Sequence, residues 1–370
     1  MRIRGRKQVT AAAGAVAVMA ALAACSSSSS SSTTTPAGGA STPASGGSTS
    51  SSAAVSGTLN GAGSTFQLTF EQQAIQNFKS VQSGMTVNYN GVGSGTGRTD
   101  LASGVVNFAG SDSPIPSTET ANFKGKKVLY FPILVGPITL SYNLSGVSNL
   151  KLTPSVIAQI FSGKITNWDN SAITSINPGV KLPSEPITLA VRSDSSGTTQ
   201  NFSLFLQTAA PSDWSLGSSS TIKWPSGARA GNGNGGVAQI IKSTPGAIGY
   251  VDYTDAKAAG LSYASVKNKD GGYVAPSTAG ASASAAGVTV APDLTFHAVW
   301  GSGAQAYPIT YQTWVLVYAQ QPNANDASML KAYIGYLLGA GQQLLPQLSY
   351  AALPSNIDST AKAQLSQITS

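Results

Sequence analysis

From Leu59 onward, apolar runs of strand length alternate with stretches whose apolar residues recur at helical spacing. Phe66, Phe70, Ala74 and Phe78 stand four apart and predict a helix over residues 66–78 with one apolar face. Residues 85–89 read as a strand, 98–103 as part of a second helix and 107–110 as a short strand. Residues 127–143 carry apolar strand positions broken by Gly136-Pro137. Residues 155–162 and 198–206 are helical in pattern, and 187–192 is a strand. The Gly/Asn-rich 231–236 leads into a helix from Val237, 245–251 is a turn and strand, 309–318 is the last strongly apolar strand, and 327–340 is a late amphipathic helix. The low-complexity 271–287 reads as a surface loop. Strand then helix, repeated, predicts an α/β architecture with largely parallel sheets, whose ligands sit beyond the strand carboxyl ends where loops meet helix N-termini.

The first 56 residues break this pattern. Residues 1–24 have a basic start (Arg2, Arg4, Arg6, Lys7) and an Ala-rich apolar stretch too short for a comfortable membrane span, the layout of a secretory signal. It ends in Leu22-Ala23-Ala24-Cys25, which resembles the lipobox of bacterial lipoproteins, and Cys25 is the only cysteine of the 370 residues. Acylation of Cys25 is therefore expected, and with it a membrane anchor, since each buried methylene contributes about 0.8 kcal/mol. An ordinary cleaved signal is the alternative. Residues 26–56 are almost wholly Ser, Thr, Ala, Gly and Pro, so 25–56 reads as a lipidated Cys plus a flexible tether spanning on the order of 30 Å.

Charge then says less than it first promises. The four basic residues of the leader account for +4 of the formal +7, leaving +3 for the mature chain. No Lys/Arg run longer than Lys126-Lys127 follows the leader and no zinc-finger or helix-turn-helix pattern appears, which argues against nucleic acid as a partner.

The chemistry lies in three short loops, each leading into a helix: Gly61-Ala62-Gly63-Ser64-Thr65-Phe66, Gly93-Ser94-Gly95-Thr96-Gly97 and Arg192-Ser193-Asp194-Ser195-Ser196-Gly197-Thr198. Free N–H groups at helix starts, glycines that permit close approach and short hydroxyls together make an anion cradle, although any one such loop is an ordinary cap. Arg192 ends a strand, and its planar fork suits a tetrahedral oxyanion; a surface Arg is the alternative. Asp194 either holds that fork or caps a helix. Asp112, in Gly110-Ser111-Asp112-Ser113-Pro114, is in isolation a turn Asp. Beside an anion it is useful only if that anion still carries a proton, which the carboxylate accepts.

With these loops the chain resembles the extracytoplasmic phosphate-binding proteins of ABC-type phosphate uptake systems, over about residues 57–357. The resemblance is carried by Gly61-Ala62-Gly63-Ser64-Thr65-Phe66, Val87-Asn88-Tyr89-Asn90-Gly91-Val92-Gly93-Ser94-Gly95, Gly110-Ser111-Asp112-Ser113-Pro114 and Ile160-Phe161-Ser162-Gly163-Lys164-Ile165-Thr166-Asn167-Trp168-Asp169. Asn177-Pro178-Gly179, Arg192-Ser193-Asp194-Ser195-Ser196-Gly197-Thr198-Thr199 and Pro245-Gly246-Ala247-Ile248-Gly249-Tyr250-Val251 extend it. It implies a two-lobed α/β fold of the periplasmic-binding-protein type II kind with the ligand in the inter-lobe cleft. The first lobe would comprise 57–136 and 309–370, and the second 137–308.

The resemblance further implies a phosphate site of Thr65, Phe66, Ser94 and Asp112 from the first lobe and Arg192, Ser196, Gly197 and Thr198 from the second, with Asp194 pairing Arg192. Two departures, Thr96 within the second loop and Ser195 in place of a frequent Gly, bear on the backbone near Gly95 and Ser195. Asn234 stands where relatives often have Asp, outside this ligand set. Inorganic phosphate is the implied ligand, with no cofactor or metal; the permease subunits of an ABC importer are the implied partner, and the outer face of a bacterial membrane the location. The rivals are a binder of another oxyanion and an extracytoplasmic phosphatase or hydrolase. Against the hydrolase, His297 is the only His and stands in no motif, no Gly-x-Ser-x-Gly elbow is present, and Ser148-Asn149-Leu150-Lys151 lacks its Lys-Thr-Gly partner.

Overall fold

A computed structural model describes residues 55–370, so the leader, Cys25 and nearly all of the tether lie outside the described residues. In chain order the elements are β1 (Gly57–Gly63), α1 (Leu68–Val81), β2 (Met85–Gly91), α2 (Ser94–Ser103), β3 (Phe108–Ser111) and β4 (Val128–Tyr142). Then come β5 (Lys151–Leu152), α3 (Pro154–Phe161), α4 (Ser171–Thr174), β6 (Thr188–Arg192), α5 (Gly197–Ala209), β7 (Arg229–Gly231), α6 (Gly233–Ser243) and β8 (Ala247–Asp252). The chain ends with α7 (Tyr253–Ala259), β9 (Ser262–Tyr263), β10 (Ser265–Lys267), β11 (Tyr273–Val274), α8 (Thr278–Ala285), β12 (Thr310–Tyr318), α9 (Ala324–Leu338) and α10 (Ser355–Gln364).

The main sheet runs β2-β1-β3-β12-β4-β8-β6-β7, with β9 also on β4. Its two flanks are parallel: β1 pairs with β2 and β3, and β6 with β7 and β8. Its centre is antiparallel, β12 pairing with β3 and β4, and β4 with β8. The sheet is therefore mixed rather than largely parallel. The cause is topological: the chain leaves the first flank along β4 and returns along β12, so the two crossing strands lie side by side in opposite directions.

β4 is also unbroken at Gly136-Pro137, where the sequence predicts an interruption. What changes there is the partner. Up to Pro137 the strand pairs with β12, and from Ile138 to Tyr142 it pairs with β8. Pro137 has no N–H for a ladder, and the next N–H, of Ile138, donates to Ile309 O at 2.8 Å.

Both faces of the first flank are covered, as the near-continuous apolar strands require. Leu129, Phe131 and Ile133 of β4 and Val315 and Val317 of β12 face one core with Phe70, Phe78, Phe108 and Tyr333. Tyr130, Trp314 and Leu316, alternating with them, face another with Leu101, Ala109 and Phe296. Full burial of each such large side chain contributes about 1.5–3 kcal/mol relative to exposure. The second of these cores corrects the reading of 271–287 as a surface loop: it holds α8, whose Ala281 and Ala285 are buried against it. Ser277 caps this helix by accepting from the Gly280 N–H at 3.0 Å, and Ser284 donates to Ala298 O at 2.8 Å. Small side chains here serve close packing, which low complexity disguises.

Candidate functional site

In the first flank, β1, β2 and β3 are parallel and end at Gly63, Gly91 and Ser111; in the second, β6 and β7 end at Arg192 and Gly231. The loops leaving these ends open α1, α2, α5 and α6, so four helix starts face one another across the sheet's centre. The flanks touch at this point. Gly95 N–H donates to Ser195 O at 3.0 Å, Asn201 Nδ2 to Asp112 O at 2.6 Å, and Asn234 N–H reaches Thr65 Oγ1 at 3.4 Å. Ser195, one of the two departures, meets Gly95 of the second loop in the first of these contacts: a Cβ on Gly95 would lie 2.0 Å from Ser195 Oγ, so the side chain at 195 requires the glycine opposite.

Asp112 lies at the middle of this junction, 1% exposed. Its Oδ2 is 3.3 Å from Ser94 Oγ at the first residue of α2, and its Oδ1 accepts from Thr313 Oγ1 at 2.7 Å. Gly197, the first residue of α5, presses on the same carboxylate. A Cβ there would stand 2.7 Å from Asp112 Oδ2 and 2.5 Å from Ser94 Oγ, so only glycine lets the α5 amides come this close. As first-turn residues of a helix, Gly197 and Thr198 have N–H groups with no carbonyl partner inside it. Ser196 is the N-cap: its Oγ accepts from Thr199 N–H at 3.1 Å, which leaves its hydroxyl hydrogen to donate elsewhere.

The second flank presents a clamped guanidinium. Arg192 donates through Nε to Asp194 Oδ1 at 2.8 Å and through Nη2 to Asp194 Oδ2 at 2.5 Å, the bidentate fork. Its Nη1 meets Thr198 Oγ1 at 3.3 Å and Asn234 Oδ1 at 3.1 Å. Asp194 also accepts from Gly233 N–H at 3.1 Å, at the start of α6. Thr65 and Phe66 complete the eight expected positions on the other side. The Phe66 ring is buried and stacked on Tyr311 with centroids 3.9 Å apart, and its N–H donates to Ser64 Oγ at 3.0 Å. That bond makes the Phe66 amide the member of the set already committed to a neighbour.

Residues 48–340 match the model of the PBP superfamily domain. Phosphate-binding protein PstS 3 of Mycobacterium tuberculosis is 33% identical over 84% of this chain and 86% of its own length. The chain belongs to the PstS family. A second relative, phosphate-binding protein PstS of Xylella fastidiosa, is 32% identical over 81% of this chain and 82% of its own. Among solved structures, a high-affinity periplasmic phosphate-binding protein (PfluDING) bound with phosphate superposes with a TM-score of 0.69 at 25% identity, covering 83% of this chain and 94% of that one. The phosphate-binding protein from Stenotrophomonas maltophilia shares the fold at a TM-score of 0.67 and 20% identity, over 83% and 93% of the two chains. The fold is thus the two-lobed binding-protein fold.

The two acids at this junction sit in opposite electrostatic states. Burial pushes the Asp112 carboxyl up to about 6, against hydrogen bonds from Ser64, Thr313 and Ser94 and the charge of Arg192, which hold it down. Burial would also raise Asp194, but the hydrogen bonds and charge of Arg192 and the Gly233 N–H outweigh it and hold that carboxyl below its ordinary value.

Several residues at the site were not in the expected set. Asn234 is fully buried against Arg192 and bridges to Thr65, so it packs directly against two of the expected ligand residues. Gln312 and Asn201 both donate to Asp112 O, at 3.1 and 2.6 Å, and Thr313 and Ser64 serve its carboxylate. Tyr250 OH accepts from Arg192 N–H at 3.1 Å and shares a hydrogen with Thr199 Oγ1 at 2.7 Å. A readable signal existed for two of them: Gln312 and Thr313 are adjacent polar residues inside a strand that is otherwise apolar and buried. His297 lies elsewhere, on the wall of a cavity of about 610 Å³ with Ser113, Gln200 and Ser218.

Proposed function

We propose that this protein captures inorganic phosphate outside the cytoplasmic membrane and delivers it to the permease of an ABC-type importer, without chemistry on the ligand. The observation that carries the reading is Asp112: a buried carboxylate set against the N-terminus of α5, a hydroxyl and, across the junction, a clamped Arg. A carboxylate in an anion site repels its ligand unless the ligand brings a proton. Phosphate keeps one at neutral pH and donates it; sulfate has none to give.

In this reading Thr65, Phe66, Ser94 and Asp112 bind from one lobe and Arg192, Ser196, Gly197 and Thr198 from the other, with Asp194 holding the Arg fork. The lobes are 57–136 with 309–370, and 137–308, and their approach closes the donors around a dehydrated anion. Thr198 Oγ1 and Thr65 Oγ1 each accept from a protein N–H, which leaves each hydroxyl hydrogen for the ligand. The Phe66 N–H joins them by turning from Ser64. Acylated Cys25 and the tether of 25–56 would keep the domain at the membrane; a Cys25→Ala protein that stays membrane-bound would remove that part.

Isothermal titration with both anions tests the binding reading. Phosphate is expected to bind and sulfate to be rejected by about 10⁴ or more, as sites built to bond a substrate OH reject the analogue lacking it. Comparable affinities for the two would overturn it.

A further inference from the structure

Asp112 has two oxygens, and they are not equivalent. Oδ2 faces Ser94 and the first residue of α5, where an anion would sit. Oδ1 faces away from it, toward Thr313 on β12. The Thr313 hydroxyl is fully buried and has one hydrogen for three acceptors: Asp112 Oδ1 at 2.7 Å, Gln67 Oε1 at 3.3 Å and Ser111 O at 3.3 Å. The shortest contact, to a carboxylate, takes it. The β12–β4 register shifts next to this residue: Thr313 pairs with Leu134 and Trp314 with Pro132, so Ile133 is the extra residue of a bulge in β4, facing the β12 position that carries the hydroxyl.

We propose that Thr313 is a positioning residue for anion selectivity: by donating to Oδ1 it keeps Asp112 ionised and turned so that Oδ2, held only by the long Ser94 contact, is left to accept a ligand proton. The inference rests on the reading of Asp112 given above. Without the Thr313 donor, the ionised form of Asp112 loses stabilisation and the carboxyl holds its proton to higher pH. A protonated Asp112 donates instead of accepting, and it then tolerates an oxyanion that has no proton. The other charged or titratable groups facing Asp112 are Arg192 from β6, which favours its ionised form, and the Tyr89 and Tyr311 phenols from β2 and β12.

The test is titration of phosphate and sulfate from pH 5 to 8 on the wild type, Thr313→Val and Thr313→Ser. In Thr313→Val the phosphate-over-sulfate preference at neutral pH is expected to fall roughly tenfold or more, the scale of a lost hydrogen bond to a charged group, and the pH below which sulfate binds is expected to move upward. Thr313→Ser, which keeps the hydroxyl, is expected to restore both. A preference and pH course in Thr313→Val equal to the wild type's would overturn the proposal, as would a Ser variant that behaves like Val. Because the readout is a ratio of two anions on the same molecules, partial unfolding does not move it. Asp112→Asn separates the two levels. If it abolishes discrimination while Thr313→Val changes nothing, only the Thr313 proposal fails; if it leaves discrimination intact, the reading of Asp112 fails and the proposal with it.

Discussion

The loop that carries Asp112 and the loop that carries Arg192 face the same point from opposite flanks, and each places an acid there, Asp112 buried and Asp194 half-buried. Their surroundings differ. Asp194 is neutralised by the guanidinium it grips, so its charge costs the site little and its effect is to fix a cation. The Asp112 carboxylate is held by hydroxyls and has no ion pair, with Arg192 acting only across the junction, and burial raises it to about 6. On the proposed reading the comparison divides the labour of the site: the Arg192 side would attract any tetrahedral oxyanion, and the Asp112 side would decide which one is kept.

The largest expected effect is on the second of these. Asp112→Asn removes the charge that rejects an unprotonated ligand and supplies an amide donor, so the phosphate-over-sulfate ratio should collapse by about 10⁴, mostly through gained sulfate affinity. The wild type approaches the same state in acid. Its carboxyl is protonated below about 6, turning from acceptor to donor, so sulfate affinity should rise as pH falls through that value and vanish above it. Competition of sulfate against radiolabelled phosphate measures both; a flat ratio across pH and between the proteins would break the division.

Next in size is Arg192→Lys, which keeps a charge and loses the fork to Asp194 together with the Asn234 and Thr198 contacts. A loss of about 3 kcal/mol, on the order of 100-fold, is expected for phosphate. Sulfate should lose as much, leaving the ratio unchanged. A selective loss of phosphate would mean that Arg192 also discriminates.

How far the sequence foretold this depends on which interactions are local. The loop-to-helix joins, the helix with Phe70, Ala74 and Phe78 on its buried face, and the strands leading to Gly110 and Arg192 were legible because capping chemistry and periodicity act over a few residues. The mixed sheet was not legible. That β12 returns between β3 and β4 is a contact between residues some two hundred positions apart, and no local pattern records it. For the same reason Thr313 and Asn234 were passed over: each acts on a side chain brought to it only by the fold, Asp112 in one case and Arg192 in the other. α8 escaped for a different reason, since its buried face is made of Gly, Ala and Ser, whose burial carries little hydropathy signal.

Asn234 supplies the smallest and the sharpest test of the division. It lies on the Arg192 side, its Oδ1 accepting from Nη1 and its N–H reaching Thr65 Oγ1, with no hydrogen bond to Asp112 or Thr313. Its removal in Asn234→Ala loosens a guanidinium that Asp194 still grips with two bonds, so phosphate affinity should fall by only about 1 kcal/mol, roughly fivefold. Sulfate should weaken by the same factor at every pH. Thr313→Val, of comparable chemical size on the opposite flank, should do the reverse and move the ratio and its pH course. Should both variants shift the ratio, or neither, attraction and selection are not separable by flank, and the two acids act as one coupled unit.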